Sequence, residues 1–383
     1  MKTLIKLLIF SILGVCLFNQ NILASEKIKI GLIIPLSGEN SFIGERIIKS
    51  TRMAINKIND DRIEIIPRDT KSNPIDALKV SKELYKNNVR IIIGPVFNES
   101  TKYLDDLKEV TFISFTNKLI DNPKNVISAG VNAVSQLQTI KKFNEKNSLS
   151  ESVFLIPRSQ FKKEIEEAIY KTKIKHKEVF YYDREATKLT KQIEDLTNYQ
   201  IRKDNLKYEI KRIESLSFKD KEKKIQNLKK KDTLGKINFD SVIIADFDEN
   251  LKSVATSLLY TDISPKRIKY ITLNQWFDES LLKENSLHPI YFPSVNKSNY
   301  KLFMNDFKYA YGLDGDQLSF LSYDLIGLVY FLIYENNFKV SKKIFYKKNK
   351  FKGKIGIFEI NKNTITHQLN FYGIEDNKFK KIF

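Results

Sequence analysis

KIKIGLIIPL, at residues 27–36, is apolar on successive positions rather than on alternate ones. A strand of this kind is buried on both faces, which is typical of a parallel sheet covered by helices. Residues 39–59 then carry apolar side chains at helical spacing, among them Ile43, Ile47 and Ala54. A buried strand followed directly by an amphipathic helix predicts an α/β protein.

Apolar runs and helical patterns continue to alternate up to residue 182. The predicted strands are 63–68, 89–93, 110–115, 126–130, 152–157 and 178–182, and the predicted helices are 75–87, 100–107, 135–143 and 161–171. Strands separated by helices imply doubly wound parallel sheets. The alternation restarts after residue 143, so two successive α/β units, and hence two lobes, are expected.

Residues 184–236 interrupt this alternation. They lack a strand pattern but carry helical stripes, including Leu206 to Leu216 and then Ile225 and Leu228. We therefore predict a helical hairpin inserted into the second lobe. Strand patterns resume at 239–245 and 268–273, a largely apolar and therefore buried helix is expected at 318–334, and residues 353–383 predict short antiparallel strands.

The N-terminus has the pattern of an export signal. Lys2 and Lys6 precede an apolar run over residues 7–18, which is short for a membrane span, and Ala24 offers a small residue for cleavage. We predict a signal peptide over residues 1–24 and export to the periplasm. An alternative is lipoprotein processing, which would anchor the chain at Cys16.

Composition excludes several classes of protein. Hydrophobic residues make up 42% of the 383 residues, which is enough for a packed core. The single Cys and three scattered His leave no Cys-based zinc site and little for His-centred catalysis. GxSxG, HExxH and GxGxxG motifs are absent from the sequence. We therefore predict no enzyme, no catalytic residue, no metal and no cofactor.

The charge balance suggests contact with anionic partners. Lys and Arg number 65 against 46 Asp and Glu, a formal net charge of +19. Residues 339–354 hold eight Lys with interleaved aromatic residues, which is typical of a nucleic-acid surface but also of a strand edge protected by Lys. An export signal without a nucleic-acid motif favours peripheral contact with an anionic membrane surface or cell-wall polymer, and no nucleic acid.

Candidate ligand-binding residues share a place just after predicted strands. They are Ser37, Gly38, Phe97, Asn98, Ser114, Thr116, Asn117 and Trp276. Ligands of open parallel sheets bind outside the carboxyl ends of the strands, so hydroxyl and amide groups from three neighbouring strand ends would meet there. The alternative is that these residues form turns, cap helices or pack the core.

Four stretches together resemble the first lobe of type 1 periplasmic binding proteins, the leucine-binding-protein superfamily. They are KIGLIIPLSGENSFIGE (29–45), RDTKSNPIDALKVSKEL (68–84), IIIGPVFNEST (91–101) and FISFTNK (112–118). Penicillin-binding-protein activators with this fold resemble the chain more closely. That resemblance covers about 28–383 and rests on ISFTN (113–117), KKKDTLGKINFDSVIIAD (229–246), LSFLSYDLIGLVYFL (318–332) and FKGKIGIFEINKN (351–363).

The resemblance implies a type 1 periplasmic binding protein fold, with two lobes joined by three crossing segments that act as a hinge. Lobe one would comprise 26–131 and 288–355, and lobe two would comprise 132–287 and 356–383. In amino-acid receptors of this superfamily, small Ser, Ala or Thr groups of lobe one bind the ligand carboxylate. Here Phe97 occupies a small-residue position, and Asn117 and Lys118 stand where an Ala-Thr pair is usual.

These departures favour a partner-binding role over amino-acid binding. The resemblance implies an exported, non-catalytic binding protein that contacts a peptidoglycan synthase or cell-wall polymer. The alternative is an ABC-transporter receptor for an amino acid of the leucine type or a similar small molecule, with an ABC permease as its partner.

Overall fold

The computed structural model describes residues 27–273 and 276–383. The predicted signal peptide and Cys16 lie outside the described residues. The first sheet has the strand order β2-β1-β3-β4-β5, with every pair parallel. Its strands are β1 (Ile28–Ile34), β2 (Ile63–Asp69), β3 (Ile91–Ile93), β4 (Thr111–Ser114) and β5 (Val126–Ser128). This confirms the parallel α/β fold expected from the first apolar run.

Helices α1 (Ser41–Ile58) and α2 (Pro74–Lys86) follow β1 and β2. Helix α2 starts where expected because Pro74 stands in its first turn and the Asn73 side chain accepts main-chain hydrogen bonds at its N-terminus. Helix α1 lies very close to the preceding turn. A Cβ at Gly44 would lie 1.8 Å from the Pro35 carbonyl oxygen, so the packing here requires glycine.

The prediction of a helix at 100–107 is wrong. Two short 3₁₀ turns, Asn98–Thr101 and Leu104–Asp106, connect β3 to β4 instead. The Thr101 hydroxyl donates to the Asn98 carbonyl oxygen at 2.7 Å. Local side-chain bonds of this type compete with a regular helix and favour tight turns.

The second sheet has seven strands in the order β15-β14-β10-β9-β8-β6-β7. Its strands up to residue 294 are β6 (Ser152–Pro157), β7 (Glu178–Tyr182), β8 (Ser241–Ile244), β9 (Lys269–Thr272) and β10 (Ile290–Ser294). These five strands pair with one another in parallel. The helices that accompany them are α3 (Ala133–Lys146), α4 (Lys162–Thr172), α5 (Ala186–Leu196), α6 (Tyr199–Glu214), α7 (Lys221–Lys229) and α8 (Asp248–Tyr260).

The last quarter of the chain packs helices onto lobe one and then returns to the second sheet. It contains α9 (Lys297–Tyr311), α10 (Gln317–Glu335), β11 (Asn349–Lys352), β12 (Ile357–Asn361), β13 (Thr364–Gln368), β14 (Asn370–Glu375) and β15 (Lys378–Lys381). Strands β11, β12 and β13 form a separate antiparallel sheet. We call the five-stranded sheet with its helices lobe one and the seven-stranded sheet with its helices lobe two.

Strand pairing differs from the expected lobe boundaries at 288 and 356. Strand β10 pairs with β9 and β14 in the lobe-two sheet, although residues 288–355 were assigned to lobe one. Strands β12 and β13, assigned to lobe two, pair with β11 instead. The pairing is long-range, so the local alternation of apolar residues could not place these strands.

The segment 184–236 contains three helices rather than a two-helix hairpin. Helix α5 packs onto lobe two, with Leu189 and Ile193 buried in the main core and Thr190 beside Ser257 of α8. Helices α6 and α7 instead share a small core of their own, made of Leu206, Ile213, Ile225 and Leu228. We call α6, α7 and their connections, residues 198–236, the helical insertion.

Helix α10 is the largest apolar helix of the described chain. By length and composition alone it is apolar enough to cross a membrane, but 61% of its apolar window is buried inside the protein. Its Ser319 carbonyl oxygen accepts a 2.5 Å hydrogen bond from Ser50 of α1, and Ser322 lies 3.1 Å from Thr51. Helix α10 is therefore packed as a core helix against α1, as its apolar pattern predicted.

Candidate functional site

Seven of the eight predicted site residues lie at one edge of lobe one. Strands β1, β3 and β4 are parallel neighbours, so their carboxyl ends meet. The residues at or just after these ends are Ser37, Gly38, Phe97, Asn98, Ser114, Thr116 and Asn117. The topology thus brings together the polar groups that the sequence placed after separate strands.

Ser37 is exposed but its hydroxyl already has a partner within the protein. Its Oγ donates to Asp69 Oδ2 at 2.5 Å, and the main-chain N–H groups of Leu36 and Lys71 donate to Asp69 Oδ1. Burial alone would raise the pKa of Asp69, but these hydrogen bonds outweigh it and lower the pKa below its ordinary value. The β1 end is therefore tied to the β2 end by an ionised carboxylate.

The residues after β4 also satisfy one another. The Ser114 hydroxyl donates to the Pro95 carbonyl oxygen at 2.9 Å and accepts a bond from the Thr116 N–H. The Thr116 hydroxyl accepts from the Lys118 N–H at 3.2 Å. Asn117, by contrast, is exposed to solvent. Ser114 and Thr116 thus shape the turn, and Asn117 presents its amide at the surface.

Buried polar atoms without a partner occur after β3. Asn98 Oδ1 and Ser100 Oγ are both buried and have no hydrogen-bond partner in the described chain. Phe97, next to them, is half-buried and packs against the main core. Orphaned buried polar atoms at a strand end are a reason to expect a water or ligand there.

Trp276 lies apart from the other seven. It follows β9, a strand of lobe two, and its ring centroid is 5.9 Å from that of Tyr300 in α9. Its backbone has φ of 48°. The neighbouring Phe277 is buried among other aromatic rings, including Tyr372 at 4.9 Å.

Lobe two carries a polar cluster that the candidate set missed. Asp246, only 1% exposed, follows β8, while Tyr182 ends β7. The Tyr182 hydroxyl donates to Asp246 Oδ2 at 2.7 Å, and Arg184 donates to both carboxylate oxygens at 2.8 and 3.0 Å. Burial and the carboxylate raise the pKa of Tyr182, and the hydrogen bond to Asp246 raises that of Arg184. Position after a strand was the signal that could have found them.

A direct bond joins the two lobes. Glu164, in the first turn of α4, accepts a 2.6 Å hydrogen bond from the Leu119 N–H in the segment after β4. The Leu119 side chain packs against the lobe-two core. Burial raises the pKa of Glu164, although the main-chain N–H groups of Leu119 and Ile120 oppose the rise. Glu164 therefore holds the post-β4 segment of lobe one against lobe two.

Asp324 of α10 is 2% exposed and lies near the segment 295–296, where the chain leaves β10 of lobe two for α9. Its carboxylate accepts the N–H groups of Lys354 and Ile355, between β11 and β12, at 2.8 and 2.6 Å. The Ile355 carbonyl oxygen in turn accepts the N–H of Asn296, directly after β10. Burial raises the pKa of Asp324 to about 6, in opposition to the two N–H groups.

His367 lies beside the start of α3, where the chain passes from β5 of lobe one to lobe two. It is 2% exposed in β13, and its main-chain N–H donates to the Ser135 hydroxyl. Neither nitrogen of its ring has a hydrogen-bond partner in the described chain. Burial lowers the pKa of His367 to about 4, and the nearby Ala129 main chain opposes this. No group of three or more His, Cys, Asp or Glu suited to a metal ion occurs within residues 27–273 and 276–383.

The two α/β lobes, their strand orders and the passages between them define the type 1 periplasmic binding protein fold. A family model described as periplasmic binding protein matches residues 27–179, which is less than half of the chain. No curated protein sequence matches the chain.

Solved structures share the whole architecture at low sequence identity. A candidate branched-chain amino acid ABC transporter protein from Rhodospirillum rubrum is 12% identical with a TM-score of 0.70, covering 93% of this chain and 100% of the other. The C-domain of LpoA from Haemophilus influenzae, a regulator of PBP1A, is 11% identical with a TM-score of 0.61 and the same coverage. An ABC transporter substrate-binding protein from Desulfitobacterium hafniense in complex with Leu is 12% identical, with a TM-score of 0.58 over 93% and 100% of the chains. At these identities the likeness shows the fold alone.

Proposed function

We propose that the protein is an exported, non-catalytic binding protein of activator type, which acts in the periplasm by contacting a peptidoglycan synthase or a cell-wall component. The observation that carries this proposal is the internal pairing of polar groups at the strand ends of both lobes. Ser37 is bonded to Asp69, Ser114 to a carbonyl oxygen, and Asp246 to Arg184. Receptors for small molecules keep a few convergent polar groups available for the ligand.

The helical insertion supports a role in protein contact. It has its own small core and adds surface beyond the two lobes. Ile201 and Tyr208, seven residues apart on α6, are 61% and 69% exposed. Side chains seven apart lie on one face of a helix, so α6 presents apolar groups to solvent. The likeness to the LpoA C-domain, a regulator of PBP1A, points in the same direction.

The test is binding and stimulation of peptidoglycan synthases by the full mature chain. We expect immobilised protein to retain a synthase from detergent-solubilised envelope extract and to raise its glycan-polymerising activity. The double variant Ile201→Ser/Tyr208→Ser should reduce both. Tyr309→Ser, at a 96% exposed position on α9, is the matched control and should leave them unchanged.

Failure of the two parts of the proposal can be told apart. If wild-type protein retains neither a synthase nor purified peptidoglycan, the activator function is wrong. If the Ile201→Ser/Tyr208→Ser variant binds and stimulates as well as wild type, the apolar face of α6 is not the contact.

A second function, as an ABC-transporter receptor for an amino acid or similar small molecule, is favoured by one observation. Asn98 Oδ1 and Ser100 Oγ are buried without a partner at the lobe-one edge, where a ligand donor would satisfy them. A thermal-shift screen against amino acids tests it, since a ligand at 100 times its Kd stabilises the native state by about 2.7 kcal/mol. Asn98→Ala should abolish the shift. Absence of a shift with every amino acid counts against this function.

A further inference from the structure

A cavity of about 540 Å³ lies where the helical insertion meets lobe two. Its walls come from α6, from the loop that leaves α7 (residues 230–237) and from residues 262–268 between α8 and β9. Residues 230–237 precede β8 and residues 262–268 precede β9, whereas Asp246 follows the carboxyl end of β8. The cavity lining is strongly basic, and two features show that this charge is not neutralised from within.

The first feature is a buried guanidinium. Arg202 of α6 is 4% exposed and lines the cavity. Its Nε donates to the Thr197 carbonyl oxygen and its Nη1 to the Thr233 hydroxyl, both at 2.9 Å, and its Nη2 donates to the Thr261 carbonyl oxygen. An arginine has five N–H donors, so these three bonds leave two to spare. All three acceptors are uncharged groups.

A buried cation without a directly bonded anion is costly. Asp262 reaches Arg202 only through the Thr233 hydroxyl, which donates to Asp262 Oδ2 at 2.6 Å. The Asp262 carboxylate is itself paired with Arg267. Arg202 therefore has only uncharged hydrogen-bond partners, and the Asp262 carboxylate is one hydrogen bond further away.

The second feature is a set of lysines around the same cavity. Lys230, Lys231 and Lys236 all line it, and none of them forms an ion pair within the described part of the chain. With Arg267 and Asp262 paired, the lining retains four cations, Arg202 and these lysines, against the single carboxylate of Asp232. Arginine and lysine together are the groups that bind phosphate and carboxylate oxygens.

We propose that this cavity is a binding site for a small polyanion carrying phosphate groups or clustered carboxylates. The anion would accept the spare N–H donors of Arg202 and be enclosed by the three lysines. Because the walls belong to both the insertion and lobe two, a bound anion would also fix the orientation of the insertion. This site is independent of the partner proposed above.

Isothermal titration calorimetry of the mature protein tests the site at constant ionic strength. Pyrophosphate and citrate serve as probes, since they carry similar charge but present phosphate and carboxylate oxygens respectively. We expect saturable one-to-one binding of at least one of them, and the preferred probe identifies the oxygen chemistry. The variant Lys230→Gln/Lys231→Gln/Lys236→Gln should bind at least about tenfold more weakly, because it removes three charge-assisted contacts.

The control removes the same number of charges from the same insertion. Lys219, Lys223 and Lys224 are exposed and lie outside the cavity lining. Lys219→Gln/Lys223→Gln/Lys224→Gln should therefore retain affinity within about threefold, the range expected for a diffuse charge effect. The proposal is wrong if neither probe binds saturably, or if both triple variants lose affinity equally. A synthase pull-down with these variants reports separately on the proposed function.

Discussion

His367 allows a sharp test of how burial beside the passages between lobes affects stability. Its ring packs against Phe358, with ring centroids 4.6 Å apart, and its nitrogens have no partner in the described structure. We consider His367→Leu, which keeps a buried apolar side chain of similar size. The ring is uncharged at pH 7.5 and packs against Phe358, so the free energy of unfolding should change by less than about 1.5 kcal/mol.

The effect of the substitution should grow in acid. The unfolded chain protonates His367 near pH 6.5, whereas burial lowers the pKa in the folded protein to about 4. Between these values the unfolded state binds more protons, so wild-type stability falls as the pH falls through this window. At pH 4.5 this loss amounts to about 2–3 kcal/mol. His367→Leu removes this loss of stability. The free energy of unfolding of the variant, compared with that of wild type, should therefore be higher at pH 4.5 than at pH 7.5 by that amount.

Asp324 has the opposite effect on the pH dependence of the free energy of unfolding. Its folded pKa of about 6 exceeds the ordinary 3.8, so the folded state binds more protons between these values. Stability from Asp324 therefore rises as the pH falls from 6 to 3.8, by about 2 kcal/mol at pH 4.5. In wild type the two effects largely cancel. In His367→Leu the Asp324 effect is left unopposed, so acid should stabilise the variant relative to wild type.

Urea unfolding followed by far-UV circular dichroism at pH 7.5 and 4.5 measures these differences. The control is His176→Leu, at an exposed histidine whose ring touches the interior only through an edge contact with Phe154. It should follow the wild-type profile. If His367→Leu and wild type change equally between the two pH values, burial does not shift the titration of His367 on folding.

Three other substitutions test contacts around the cleft and its passages. Asp324→Ala leaves the main-chain N–H groups of Lys354 and Ile355 without this acceptor and should lower the free energy of unfolding by about 2–5 kcal/mol in urea titrations. Glu164→Ala removes the bond between lobes, worth about 1.5–3 kcal/mol, and should increase the radius of gyration in small-angle X-ray scattering. Gly44→Ala places a Cβ 1.8 Å from the Pro35 carbonyl oxygen and should lower the Tm by several degrees in calorimetry.

Each has a distinct contradicting outcome. Asp306→Ala, at an exposed position of α9, should cost less than about 0.5 kcal/mol, and an equal cost for Asp324→Ala would show that its N–H partners find other acceptors. Glu167→Ala, also on α4, should leave the scattering curve unchanged, and an unchanged curve for Glu164→Ala would mean that the lobes are held by other contacts. A wild-type Tm for Gly44→Ala would mean that the turn relaxes freely.

Elements with strong local patterns were predictable from the sequence. The run at 27–36, which is apolar on both faces of the strand, contains β1. The segment 39–59, with apolar residues at helical spacing, contains α1. Apolar spacing decides such elements because burial dominates their stability. Parallel topology also fixes where strand ends meet. The sequence could therefore predict that Ser37, Asn98 and Ser114 lie at one edge of the lobe-one sheet.

Features decided by distant contacts were not predictable in this way. Strand β10 pairs with β14, so Ile290 lies opposite Ile374, and no local pattern specifies that pairing. Asp246 finds Arg184, 62 positions earlier in the chain, and Glu164 finds the N–H of Leu119. The polar residues most important to the site are thus defined by tertiary structure rather than by spacing in the sequence.

The bond between Glu164 and Leu119 bears directly on the choice between the two proposed functions. In a receptor that closes on its ligand, the ligand must stabilise the closed state more than the open one. Here the protein supplies a carboxylate of its own across the lobes. A hydrogen bond to a charged group worth about 1.5–3 kcal/mol favours the observed arrangement of the lobes roughly 10- to 150-fold without any ligand. A small molecule bound between the lobes would then add little to the preference for this arrangement. A partner that binds the outer surfaces, including the helical insertion, does not depend on such a change.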